Sequence, residues 1–288
     1  MKRFVIVTIT LVFLLFISTG SALACTMVMV AKGDVMLAGN NEDWNDPDTK
    51  MWIYPATKDK YGRVCFGFGN GFTQGGMNDQ GLFIDGNALS PTGWKPIPGK
   101  PYFQGNLMDH ILEHCATVDE AIAFFKKYNF HSLARAKFPI ADAKGDSAVV
   151  EWGKGKLQCI KRTGMYQIST NFVQTNYKPG DYPCARYKIA EKILKTAREV
   201  SIDLVRSVLS ATHSELRYPT LYSNIYDLKN KKIYLYNFHN FEEAYVIDLA
   251  KMLKKGKKTF DIPSLFLVKT QAARLFERLY SEPKSKAR

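Results

Sequence analysis

An α+β fold, antiparallel sheets covered by helices, is predicted by three features of this 288-residue chain. Its strand-like segments are short, and several are joined by links of hairpin size. Its helical patterns fall in runs of their own, whereas a parallel βαβ sheet needs strand and helix to alternate. No internal repeat or low-complexity linker divides the chain.

The first element is a leader. Lys2 and Arg3 give a positive start, residues 4–17 an apolar run, and residues 18–24 a small, polar segment ending in Ala22-Leu23-Ala24. This is the three-part pattern of a secretory signal peptide cut after Ala24, so export to a periplasmic or extracellular space is expected. The apolar run is shorter than the ~20 residues of a spanning helix. No second candidate span follows, and no stable membrane span is expected.

Cutting there would make Cys25 the first residue. A terminal cysteine holds a thiol nucleophile beside its own α-amine, a base with a reference pKa of roughly 7.7 to 8.0. A rival is lipoprotein processing, which acylates such a cysteine and would leave a lipid-anchored, non-catalytic binding domain. That pattern favours Leu or a branched residue three places earlier, where this chain has Ala22.

Segments 26–31 and 35–38 read as two strands around the turn Lys32-Gly33-Asp34, so Cys25 begins a strand. Further strands are expected at 81–86, 148–152, 157–161, 166–170, 224–228 and 233–238. Helical patterns occupy 106–115, 118–128, 186–196, 201–211 and 264–280. Thr117 and Glu120 have the spacing of a capping box.

The expected organisation is a single domain over 25–288 with a basic C-terminal tail. Loss of Lys2 and Arg3 takes the formal charge from +13 to +11. Much of the excess lies in 251–258 and 283–288, which read as solvated surface without interleaved aromatics, so nucleic acid is not an expected partner. Five cysteines leave Cys25 as the odd one. Cys65, Cys115, Cys159 and Cys184 then either form two disulfides, in any of three connectivities, or stay reduced. A homo-oligomer is compatible with the chain and is not specified by it.

Asp43 follows Cys25 by eighteen residues, in Gly39-Asn40-Asn41-Glu42-Asp43-Trp44. A hairpin would return this segment to Cys25, where the carboxylate could hold the terminal ammonium or orient the thiol. With Asp46 and Asp48 it also reads as a turn-forming acidic cluster. His110 and His114 show no third ligand, so no metal is expected, and no cofactor is called for. Gly67, Gly69 and Gly71 lack the Lys-Ser/Thr of a phosphate cradle, and there is no Gly-x-Ser-x-Gly elbow.

Five segments in order carry a resemblance: Cys25-Thr26; 39–44; Gly76-Met77-Asn78-Asp79-Gln80-Gly81-Leu82; Ala141-Asp142-Ala143-Lys144-Gly145-Asp146 leading to Glu151; and Ser169-Thr170-Asn171-Phe172. Together they resemble the cysteine N-terminal nucleophile hydrolases. The similar branches are the choloylglycine hydrolase and penicillin V acylase group and the isopenicillin N acyltransferase-like group.

The resemblance implies a four-layer αββα sandwich of two antiparallel sheets. It implies Cys25 as nucleophile, Asp43 as holder of its amine, and Asn171 as an oxyanion donor, a type of contact worth roughly 3 to 4 kcal/mol in the transition state. Asn87 is a second oxyanion candidate, one residue out of the bile-salt spacing. Arg186 could orient Asp43 or Cys25 through a bidentate ion pair. Where the bile-salt branch has an arginine three residues before the aspartate, this chain has Asn40, which tilts the reading away from that branch.

Trp44, Asn40 and Phe172 are the substrate-binding candidates. Trp52, Tyr54, Phe66, Phe68 and Phe72 add aromatic surface that would suit an apolar acyl group or simply fill the core. The expected function is an exported amidohydrolase cleaving a linear C–N amide of a small N-acyl substrate, similar to penicillin V acylase. Acyl transfer of the isopenicillin N type is its rival.

Overall fold

The structure is a computed structural model that describes residues 25–215 and 218–281. The leader expected over 1–24 and the tail from 283 lie outside the described residues. One sheet contains β1 (Thr26–Lys32), β2 (Val35–Asp43), β11 (Tyr166–Ser169), β12 (Thr220–Asp227), β13 (Lys232–Asn237) and β14 (Tyr245–Asp248), in the order β11-β1-β2-β12-β13-β14.

The other contains β3 (Thr49–Tyr54), β4 (Arg63–Phe68), β5 (Thr73–Asn78), β6 (Phe83–Asp85), β8 (Ala136–Ala141), β9 (Ser147–Gly153), β10 (Lys156–Lys161) and β15 (Lys258–Asp261). Its order is β10-β9-β8-β6-β5-β4-β3-β15, with the short β7 (Asn87–Ala88) paired to β8. Neighbouring strands in both sheets run antiparallel.

The period of two along β1 assigns the layers. Met27 and Met29 point between the sheets, against Met51, Ile53, Phe66, Phe83, Tyr222 and Tyr226. Val28 and Val30 point the other way, against α3 (Ala185–Thr196) and α4 (Ile202–Thr212). The outer face of the second sheet, with Ile84, Ile140 and Val150, is covered by α1 (Leu107–His114) and α2 (Val118–Lys127). The molecule is therefore the αββα sandwich that the resemblance implies, with three apolar layers between four layers of structure.

Helix starts follow their capping residues. Asn106, Thr117 and Ser201 each accept a backbone N–H of the first turn of α1, α2 and α4. Each such cap is worth about 1 kcal/mol. Glu120 reaches back to Ala116 N at 2.6 Å, one residue beyond the reciprocal partner of a capping box.

Several elements differ from expectation. Strands β3, β4, β5 and β8 were not foreseen, because they are buried nearly throughout and so lack an apolar-polar alternation; β5 also carries Gly75 and Gly76. The helix expected over 264–280 is a 3₁₀ turn at Ile262–Leu265 followed by α6 (Gln271–Ser281). Thr270 starts that helix by accepting Ala273 N at 3.1 Å. A short α5 (Leu249–Leu253), β14 and β15 were also missed. All five cysteines are free thiols, so the reduced alternative is the one found. Burial pushes the Cys65 thiol up to about 12.

One buried ion pair fixes the segment after β11. Lys137 and Glu151 are both fully buried, 3.8 Å apart. Lys137 Nζ donates to the Phe172 carbonyl at 2.7 Å, while Glu151 accepts Gln174 N, Thr175 N and Thr175 Oγ1 at 3.0, 2.8 and 2.8 Å. Removing one partner of such a pair strands the other in an apolar interior. Glu151→Ala is expected to destabilise the fold by about 3 to 5 kcal/mol, read from urea midpoints, with Glu151→Gln losing less. An unshifted midpoint for the alanine variant would contradict this role.

Candidate active site

The β1–β2 hairpin builds the site. Gly33, at φ 58°, supplies the left-handed residue of the turn, and β2 continues nine residues to Asp43, further than the sequence suggested. Thr26 pairs with Asn41, so Cys25 stands beside Glu42 and Asp43 at the end of the hairpin. Its side chain is 6 % exposed and its sulfur accepts the backbone N–H of Asp43.

Residues far apart in sequence converge on the Cys25 carbonyl. Arg186, in the first turn of α3, donates Nη1 to it at 2.8 Å and to Thr26 Oγ1 at 2.8 Å. Its Nη2 donates to Asn171 Oδ1 at 3.0 Å, and Asn171 Nδ2 donates to the Ala88 carbonyl at 2.9 Å. Asn87 Nδ2 reaches the Cys25 carbonyl at 3.3 Å, its Oδ1 held by Ser169 Oγ at 2.5 Å.

Three expectations change here. Arg186 forms no bidentate ion pair with Asp43 or the thiol; its hydrogen bonds go to neutral oxygens, and it acts on Asp43 only through its charge. Asn40 is buried between the sheets with its amide on Asp85, away from the cleft wall. Phe172 packs among Tyr177, Tyr182 and Tyr187 on the helix side, also away from it. Asn87 reaches Cys25 directly and Asn171 only through Arg186, and neither lines the cleft.

A cleft of about 470 Å³ opens over Cys25, Glu42 and Asp43. Trp44 forms one wall, stacked on Tyr218 at 5.7 Å and inclined over Phe68 at 6.3 Å. Phe68, Phe72, Met108, Phe103, Phe130 and Phe138 make the rest largely apolar, with Asn70, Gln74 and His131 as polar points. Trp44, Phe68 and Phe72 were readable as candidates. Phe103, Phe130 and Phe138 were not, since only the packing of distant loops brings them here. Trp52, Tyr54 and Phe66 belong to the core.

Sequence reasoning also missed an acid cluster. Asp85 is fully buried, and desolvation pushes its carboxyl up to about 8 against the hydrogen bonds from Gly86 N and Asn40. Burial, then the charges of Asp85 and Asp43, hold Glu42 well above the usual carboxylate range. Burial likewise raises Asp43, opposed by the Thr220 hydroxyl on Oδ1 and by Arg186. The Cys25 thiol is raised by burial first and then by Glu42 and Asp43. Asp43 Oδ2 and Glu42 Oε2 have no hydrogen-bond partner among the described residues. The centre carries acids in excess, an environment that favours a cation at the Cys25 nitrogen.

While that nitrogen is still an amide, Asp85 makes stability depend on pH. With a folded value of about 8 against 3.8, the native state keeps a proton that the unfolded chain gives up. Its contribution is full below about pH 4 and is lost as pH rises to about 8. Urea midpoints of the leader-bearing chain are expected to fall across this window, and Asp85→Asn to flatten the slope. An unchanged slope in that variant would refute the assignment.

Three comparisons bear on identity. The family model described as acyl-coenzyme A:6-aminopenicillanic acid acyl-transferase matches residues 30–242, a span that holds Asp43, Asn87, Asn171 and Arg186 and begins just after Cys25. The penicillin V acylase of Pectobacterium atrosepticum is 28% identical over 203 residues, 57% of this chain; the chain spans about half, 54%, of that relative's length.

Among solved structures, a penicillin V acylase from Agrobacterium tumefaciens superposes with a TM-score of 0.66 at 20% identity, covering 83% of this chain and 91% of that one. A mutant of the conjugated bile acid hydrolase from Clostridium perfringens gives 0.65 at 17%, covering 82% and 96%. At such identities these likenesses show the shared sandwich fold.

Proposed function

Because this chain belongs to the acyl-coenzyme A:6-aminopenicillanic acid acyl-transferase family, we propose that it is an exported cysteine amidohydrolase, similar to penicillin V acylase, that cleaves a linear amide of a small N-acyl substrate. The observation that carries this reading is the placement of Cys25 at the floor of an apolar cleft, beside the unpartnered Oδ2 of Asp43.

In this reading the peptide bond between Ala24 and Cys25 is cut on export. The freed α-ammonium takes the position next to Asp43, and its charge opposes the acids that otherwise raise the thiol. The α-amine removes the thiol proton, and Sγ attacks the substrate carbonyl to form a C–S bond. Collapse of the tetrahedral intermediate breaks the C–N bond, and the proton passes from the α-amine to the leaving nitrogen. Water, deprotonated by the same amine, then attacks the thioester; the acid departs and the thiol is restored.

Asn171 is the proposed oxyanion donor. Arg186 fixes its oxygen and the Ala88 carbonyl takes one N–H, which leaves the second for developing charge. Asn171 does not line the cleft, so this role requires its amide to turn toward the substrate. Arg186 and Asn87 are proposed as positioning groups that hold the Cys25 carbonyl. The aromatic lining favours an apolar or aryl acyl group, with Trp44 as the wall it meets.

Acyl transfer is the second reading, and the description of the matching family favours it. The chemistry differs only in which nucleophile resolves the thioester. Purified exported protein should be assayed on penicillin V, conjugated bile salts and N-acyl amino acids, with and without 6-aminopenicillanic acid as acceptor. Free acid alone supports hydrolysis; a new amide supports transfer. No turnover of any donor by protein whose Cys25 carries a diacylglyceryl mass would favour the lipid-anchored binding domain.

A further inference from the structure

The loop after α4 braces the cleft. Thr220 N donates to the Ser214 carbonyl and Ser214 N to Thr220 Oγ1, both at 2.8 Å, which closes the loop on itself. The Thr220 hydroxyl donates to Asp43, the Pro219 carbonyl accepts Trp44 N at 3.1 Å, and Tyr218 stacks on Trp44. At the outer end of this loop, His213, Glu215 and His239 bring one ligand atom each within 4.8 Å of one another.

The hydrogen bonds there point to a cation. His213 Nδ1 lies 2.5 Å from the Ser210 carbonyl, and Nε2 lies 2.9 Å from Glu215 Oε1. A carbonyl only accepts, so Nδ1 carries the proton and the Nε2 lone pair faces a carboxylate oxygen. Two acceptors at that distance need a proton or a metal between them. An Nδ1–H tied to a backbone carbonyl is also how ligating histidines are commonly oriented.

His239 is brought to the site at a conformational cost. In the turn closed by Asn240 N on the Asn237 carbonyl, Phe238 and His239 both have φ 46°. That is a left-handed conformation usually left to Gly or Asn, costing other residues about 1 to 3 kcal/mol each. Phe238 is buried against Phe276 at 5.2 Å, and the His239 ring stacks on His213 at 4.9 Å.

We propose that His213, Glu215 and His239 form a binding site for a divalent transition metal of the zinc class, separate from the Cys25 centre. Two imidazoles and one carboxylate suit zinc, nickel or copper over magnesium or calcium, with water completing the coordination. Binding bridges His213 Nε2 and Glu215 and ties the end of α4 to the turn after β13.

Zinc chloride alone, titrated calorimetrically into the metal-stripped full chain, tests this. One site per chain is expected, with Tm rising on zinc addition, and both effects kept in Cys25→Ala. Affinity should fall at least tenfold in His239→Gln and in Glu215→Gln. The Glu215 side chain is 71 % exposed, so that variant keeps its fold and decides the matter if His239→Gln does not. Zinc held by thiols or by His110 and His114 survives both substitutions. Affinity unchanged in Glu215→Gln, loss of binding in Cys25→Ala, or no binding at submillimolar zinc overturns the proposal.

Discussion

Cys25→Ala is expected to lower amide turnover by about 10⁴-fold or more, the scale seen when a nucleophile is removed from a preorganised site. Among the described residues Cys25 carries the one thiol on the cleft wall, beside the buried acids Glu42 and Asp43. The loss should fall on chemistry and leave the fold in place. Cys25 is 6 % exposed at the end of a strand, so deleting one sulfur costs about 1 kcal/mol by the cavity scale. Initial rates on the best donor, with thermal unfolding as the fold control, give the answer. Turnover equal to the native protein would remove Cys25 from the mechanism.

Arg186→Leu is the second large effect, a fall in kcat of about 10² to 10³-fold with a smaller change in KM. Its guanidinium ties the Cys25 carbonyl, Thr26 and Asn171 with one planar fork. Leucine fills part of the volume and supplies no donor. Lysine restores the charge without the fork, so Arg186→Lys should recover little. Asn171→Ala should cost a similar factor, and the double variant less than the product of the two, because both residues belong to one network. A KM effect with kcat intact would mean that the fork serves binding, not the reacting groups.

Much of the fold was legible because its signals are local. The alternation of β1, the Gly33 turn and the cap at Thr117 are each specified within a few residues. Strands β4 and β5 were invisible for the converse reason: buried on both faces, they show no period, and their glycines argue against strand until the tight sheet packing at Gly67 and Gly76 is seen. The apolar stretch from Leu265 to Val268 read as helix, yet Phe266 is buried and Leu267 is 97 % exposed, a split that tertiary packing decides.

The site divides along the same line. Cys25 beside Asp43 follows from a hairpin register and was readable. Arg186 joining Asn171 to the Cys25 carbonyl depends on β11 and α3 packing against β1, which only the resemblance supplied in advance. Glu42 stood in a quoted segment but with no role of its own, and Asp85 carried no signal, since their meeting depends on how the sheets stack. His213 and His239 are twenty-six residues apart and meet through a strained turn that no composition rule anticipates.

The account rests on a free amine at Cys25, and retaining one extra residue tests that most directly. Amide hydrolysis should be compared between protein beginning at Cys25 and otherwise identical protein that keeps Ala24, each confirmed by N-terminal mass. The expected result is turnover in the first and a loss of about 10³-fold or more in the second, the upper part of what a positioned general base contributes. Equal turnover with Ala24 still attached would contradict the account, since the nitrogen would then be an amide and no base.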